Sequence, residues 1–177
     1  LLNIDSNAYY FYQKNDANGG QEGLMARNRK LNIGNVTVFV DDSGYVYRSV
    51  VSNISYLSQK DSRWSNTLIG DYTIGGTGCV PTTAAMIINY YKGTNYTPVD
   101  IATKFYDAGY MNTSTYLGSN GDSFLVVKNE FGLSYENNLS YNQLIGSLKA
   151  GKLVACAVGP GTFVGWGYTH EILLTGY

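Results

Sequence analysis

Apolar positions crowd most densely between residues 81 and 91, where Ala84, Ala85, Met86, Ile87, Ile88, Tyr90 and Tyr91 leave almost no helical face polar. A helix over residues 81–92 is predicted, because Pro81 suits a first turn and Gly93 stands just past the last. A helix that is apolar all round belongs inside a domain. The stretch Gly75-Gly76-Thr77-Gly78 ahead of it reads as a glycine-rich loop that delivers Cys79 to the helix N-terminus. Unpaired backbone N–H groups and the helix dipole favour an anion there, in this case a thiolate.

Other segments fall on either side of that run. Thr97-Pro98 opens a helix whose apolar side carries Val99, Ile101, Ala102, Phe105 and Ala108, with Gly109 beyond its end. Residues 124–131 form a third helix stopped by Gly132, and Ser140 with Gln143 forms a capping box for a fourth that Gly151 closes. Residues 8–12 form an aromatic strand-like run followed by the turn-rich 15–20. Residues 36–40 and 45–47 flank Asp41-Asp42-Ser43-Gly44 as a hairpin. A short strand is expected over 53–58, a buried strand over 153–158, and a last strand over 168–175 carrying His170. Helices precede the gathered strands, which predicts an α+β arrangement. Residues 1–50 are expected to be a β-rich segment and 51–177 the main domain.

The totals remove several function classes. The chain has 177 residues and a net charge of -1, so electrostatics offers nothing to nucleic acid or to an anionic membrane surface. Charged residues make up only 14%, and seventeen tyrosines supply much of the polarity, against about 25% charged in ordinary soluble domains. That composition points to an extracellular or cell-wall-associated protein. No apolar run approaches the roughly 20 residues that cross a bilayer. With two cysteines and one histidine there is neither a disulfide framework nor a zinc site, and no cofactor or metal is expected. Asp16-Ala17-Asn18-Gly19 has a faint calcium-loop look but lacks the closing Glu, and reads as a turn.

A cysteine nucleophile needs a base, and His170 is the one histidine available, paired with either Cys79 or Cys156. Cys156 lies in an apolar strand, where a free thiol behaves as a small hydrophobe. Cys79 has the loop glycines and the helix terminus, and is the better candidate. Trp64 and Trp166 read equally well as cleft borders or as core anchors.

Gln59-Lys60-Asp61-Ser62-Arg63-Trp64, then Thr73-Ile74-Gly75, Gly78-Cys79-Val80-Pro81-Thr82, Ala85-Met86 and Tyr90-Tyr91 resemble the papain-like bacteriocin-processing (double-glycine leader) peptidase family. Residues 167–177, with His170, resemble that family's histidine strand. The likeness covers roughly residues 54–177. It implies a papain-like fold, with the buried Cys79 helix packed on an antiparallel sheet. It also implies Cys79 as nucleophile, His170 as general base and acid, and Gln59 as an oxyanion-hole donor. Transporter-linked members carry Asp-Cys-Gly where this chain has Gly78-Cys79-Val80, which favours the secreted branch. The family sets an acid downstream of the histidine, and the third catalytic residue is expected beyond Tyr177, so the domain reads as truncated there.

The reading that follows is a secreted cysteine peptidase acting on peptide bonds through a thioester. Two others stand beside it: a peptidoglycan amidase or endopeptidase acting on stem peptides with the same chemistry, and a non-catalytic surface-binding module. Residues 1–50 hold one imperfect copy of a pattern resembling the aromatic and glycine repeats of Gram-positive wall-binding modules, and the cell wall is a candidate partner for them.

Overall fold

The alternation and capping signals resolve into fourteen elements in a computed structural model, which describes residues 2–4 and 7–177. In chain order these are β1 (Leu2–Ile4), β2 (Asn7–Tyr9), β3 (Arg29–Ile33), β4 (Val36–Val40), β5 (Val46–Val51), β6 (Leu68–Ile69) and β7 (Tyr72–Thr73). There follow α1 (Ile74–Thr77), α2 (Cys79–Lys92), α3 (Pro98–Asp107), α4 (Ser123–Phe131), α5 (Tyr141–Lys149), β8 (Val154–Val158) and β9 (His170–Leu174). The class is mixed α+β with antiparallel sheets, as expected. The strands form one three-stranded sheet, β3-β4-β5, and three two-stranded ones, β1-β2, β6-β7 and β8-β9.

Two units divide the chain. The first comprises residues 1–53, 136–154 and 174–177. Its antiparallel sheet buries Leu31, Val38, Val40 and Val46 with Ala8, Tyr10 and Tyr12. The hairpin turn is fixed by Asp41, whose Oδ1 accepts from the N–H groups of Ser43 and Tyr45, both at 2.9 Å. Asp16 likewise builds a turn: its carboxylate accepts from the Tyr10 hydroxyl and from the N–H groups of Gln13 and Asn18. Helix α5 carries the expected capping box, Ser140 with Gln143, and the Ser49 hydroxyl donates to the carbonyl of its Leu148. Residues 174–177 run along β5, with Val51 N–H on Thr175 O at 2.8 Å and Ser49 and Tyr177 exchanging two bonds of 3.0 Å. A side chain at Gly176 would place its Cβ 2.3 Å from Ser49 O, so this pairing requires glycine. The segment 1–50 is thus completed by distant stretches of sequence rather than by itself alone.

The second unit, residues 54–135 and 155–173, is built on α2. Its helix starts at Cys79 and ends on Gly93, which adopts the left-handed conformation (φ 64°) that closes a helix. Residues 81–86 and Ile88 are buried, while Tyr91 and Lys92 in the last turn are exposed. The core around α2 comes from Ile101, Ala102 and Phe105 of α3, Val126 and Val127 of α4, and Trp64. Each fully buried side chain of this size contributes roughly 1.5–3 kcal/mol. Thr97 and Asp100 form a complete capping box for α3, and Gly132 (φ 63°) stops α4.

Three expectations are corrected, and one strand is added. Residues 53–58 form no strand: Asn53 turns the chain at φ 62°, and Leu57 N–H meets the sulfur of Met86 rather than a neighbouring strand. The glycine-rich stretch before Cys79 is no loop but the helical turn α1, capped by Thr73, whose side chain accepts from Gly76 N–H. In β8 only Val154 is buried, and Cys156 is half-buried, because the strand has a single strand partner, β9. Finally, β3 went unpredicted, since its Arg29, Lys30 and Asn32 hide an alternation in which Leu31 alone is fully buried.

Candidate active site

The approach to Cys79 is assembled from short-range bonds. The β6-β7 hairpin ends at Thr73, the cap of α1, and Gly78 N–H closes that turn on Ile74 O at 2.8 Å. Gly75 donates to Ser65 O at 2.8 Å, and a Cβ on it would lie 2.9 Å from that same oxygen. A Cβ on Gly78 would lie 2.6 Å from Ile74 O. Both positions need glycine for close backbone approach rather than for an unusual dihedral. From Gly78 the chain enters α2 directly, with no side-chain cap, so its first N–H groups are left for another acceptor.

The sulfur of Cys79 stands at that end. The backbone N–H groups of Val80 and Glu171 lie near enough to favour its charged form. Burial outweighs them, and the Glu171 carboxylate adds to the penalty, so the thiol is pushed up from its ordinary value. The resting group is a neutral thiol, not the thiolate that the helix terminus alone suggests, because desolvation of a half-buried sulfur exceeds what a few N–H dipoles return.

His170 is the first residue of β9 and half-buried. The N–H that reaches Cys79 belongs to the peptide unit joining His170 to Glu171, so the His170 Cα is within about 2.5 Å of that nitrogen. The structure therefore brings the backbone of His170 to the sulfur. Gln59 is half-buried, and its Nε2 donates to Gly75 O at 3.0 Å, which fastens it to the turn that carries Cys79. Trp64 is a core anchor: it is buried and its Nε1 donates to Ser58 O at 2.7 Å. Asp61 closes that same turn, accepting from the N–H of Arg63 at 3.0 Å and pairing with its guanidinium at 2.7 Å, which holds the carboxyl down at about 2. Trp166, by contrast, is 90% exposed. Cys156 is a free thiol elsewhere on β8.

Two residues escaped the sequence reading. Asn112 is buried and donates to Ile69 O at 2.9 Å and to Thr77 Oγ1 at 3.2 Å, while accepting from Gly118 N–H at 2.9 Å. It ties the hairpin and α1 to the 110–120 loop, and no local pattern announces it. Glu171 follows His170 in β9, and its sequence neighbours give no sign of a role. Its own N–H lies beside the sulfur, and burial pushes its carboxyl up to about 7.

Among the described residues no group of three or more His, Cys, Asp or Glu side chains is arranged to hold a metal ion. No helix among them is long and apolar enough to cross a membrane. No curated protein and no solved structure matches the chain. A family model does: that of the Peptidase_C39 like family, over residues 51–177. The match spans most of the chain and takes in Gln59, the turn before Cys79, all of α2 and the β9 strand, and the chain belongs to this cysteine peptidase-like family.

Proposed function

We propose that this protein is a papain-like cysteine peptidase, secreted or held at the cell wall, that hydrolyses peptide bonds through a thioester on Cys79. The observation that carries the reading is the contact of the His170–Glu171 peptide unit with the Cys79 sulfur at the head of α2. It supports His170 as the base. The low charge content supports a location outside the cell.

The chemistry follows from a neutral resting thiol. His170 takes the Sγ proton as sulfur attacks the carbonyl carbon, and negative charge develops on the carbonyl oxygen. The Cys79 N–H and the second amide N–H of Gln59, whose first is engaged by Gly75 O, stabilise that oxygen. The C–N bond breaks as His170 returns its proton to the leaving amine. Water, deprotonated by His170, then attacks the thioester, releasing the carboxylic acid and regenerating the thiol.

Hydrolysis of a quenched fluorescent peptide library tests this. Cys79→Ala and His170→Ala should abolish turnover. Gln59→Ala should lower kcat by roughly 10²–10³, the loss typical of one oxyanion donor. The strongly exposed Trp166 and Tyr168 favour a second reading in which the peptide is a peptidoglycan stem, and cleavage of purified sacculi but not of free peptides would select it. Binding to sacculi with no turnover of any substrate would leave a non-catalytic surface module.

A further inference from the structure

The stretch that begins at His170 outruns β9. Thr175 follows directly on Leu174, the last residue of that strand, and residues 175–177 lie antiparallel along β5. Val51 N–H donates to Thr175 O at 2.8 Å, Ser49 and Tyr177 exchange two bonds of 3.0 Å, and Gly176 stands opposite Val50. This edge is well held. Ser49 is fully buried and its hydroxyl donates to Leu148 O of α5. The Lys149 ammonium of the same helix lies 4.9 Å from the centre of the Tyr177 ring. β9 itself has one strand partner, β8, and a two-stranded ribbon is only marginally stable alone.

Gly176 limits how this tail can sit. A Cβ there would lie 2.3 Å from Ser49 O and 3.1 Å from Val50 Cα. Both are backbone atoms of a paired strand, so neither gives way cheaply. The neighbours Thr175 and Tyr177 each carry a Cβ, so a slip of one residue in either direction would drive a side chain into that space. A one-residue slip also turns every side chain of a strand to the opposite face. His170 lies on the same continuous stretch, and a slip that reached it would turn its imidazole with the rest.

We propose that Gly176 is a positioning residue: fitting only opposite Val50, it fixes the register of the tail on β5 and, through the continuous chain, the face on which His170 stands. β5 is then a template for the catalytic strand, although all of it but Val51 precedes the family match. The role given to His170 rests on the peptidase reading above, whereas the register does not.

The test uses the full chain with Gly176→Ala, and Gly165→Ala as control, since a Cβ at Gly165 meets nothing within 4 Å. Hydrogen exchange is measured, with kcat and KM on a cleaved peptide and the nuclear magnetic resonance signals of the His170 ring, the one histidine of the chain. In Gly176→Ala, exchange at Ser49, Val51 and Tyr177 should quicken by at least about tenfold while α2 and α3 stay within about twofold. The ring signals of His170 should shift, and kcat should fall by roughly 10–10²-fold with KM within about threefold. Gly165→Ala should match wild type throughout, and a control that changes as far as Gly176→Ala overturns the proposal. So does an edge that exchanges faster while the His170 signals and kcat stay as in wild type, because the tail then holds only the edge. Unchanged exchange at the edge overturns it too. If Gly176→Ala fails to fold, Tyr177→Pro, which removes the bond from Tyr177 N–H to Ser49 O, must give the same split at smaller size, and its absence has the same force. If wild type cleaves no peptide, the peptidase reading fails, and exchange with the ring signals still decides the register.

Discussion

The backbone N–H of Glu171 lies beside the sulfur of Cys79, across 92 positions of sequence. The contact joins the head of α2 to the second residue of β9 and favours the thiolate, while burial, the larger effect, opposes it.

The first consequence is a thiol that ionises late. Burial and the neighbouring Glu171 carboxylate both oppose the thiolate. Iodoacetamide labelling of Cys79 should therefore show a pH midpoint above that of a free cysteine, which is about 8.5. Glu171→Gln should move the midpoint downward by removing one of the two causes. A wild-type midpoint at or below the free-thiol value would contradict the structure.

Glu171 also makes stability depend on pH. Its carboxyl is raised by burial from an ordinary 4.5 to about 7, so between these values the unfolded chain releases a proton that the folded chain keeps. The unfolded state then binds fewer protons, and stability falls as pH rises through that window, with the full loss reached above pH 7. Allowing for solvent screening of a half-buried group, the loss is about 1–2 kcal/mol. Urea melts should find Glu171→Gln more stable than wild type at pH 8 by about that amount, and no more stable at pH 4.

Neighbouring glycines should respond very differently to alanine. At Gly78 a Cβ would meet Ile74 O at 2.6 Å, whereas at Gly76 the nearest atom is Thr73 Oγ1 at 3.3 Å. Gly78→Ala should destabilise by roughly 1–3 kcal/mol, as overpacking does, and lower Tm by several degrees. Gly76→Ala should change little. Equal melting temperatures for the two variants would mean that the close approach of Gly78 to Ile74 is relaxed in solution.

Asn112 bonds three groups, of which Thr77 Oγ1 also donates to Thr73 O at 3.2 Å. Asn112→Ala leaves Ile69 O, Thr77 Oγ1 and Gly118 N–H without their bonds to it, and puts alanine at φ 49°. A loss of about 2–4 kcal/mol is expected from the unsatisfied groups and the backbone strain together. Hydrogen exchange should quicken at residues 69–78 more than in α4. Uniform exchange across the unit would show that Asn112 is not the tie between hairpin, α1 and loop.

What the sequence determined by itself is local. The end of α2 at Gly93, the box at Thr97 and Asp100, the stop at Gly132, the box at Ser140 and Gln143, and the turn at Asp41 are each written within five residues. Capping and turn formation need nothing more distant, so they could be read directly. β3 was written there too, as Leu31 and Ile33 alternating with polar residues before the two-residue Gly34-Asn35 connection to β4, and was overlooked because its polar face is charged. Tertiary structure alone decided the rest. It turned residues 75–77 helical by letting Gly75 approach Ser65, fastened Gln59 to that turn, and set residues 174–177 along β5. It also buried Cys79 so that its thiol is pushed up, and among the described residues it set no ion-pair partner at Glu171. Desolvation depends on what the whole chain packs around a group, and no window of sequence contains that quantity.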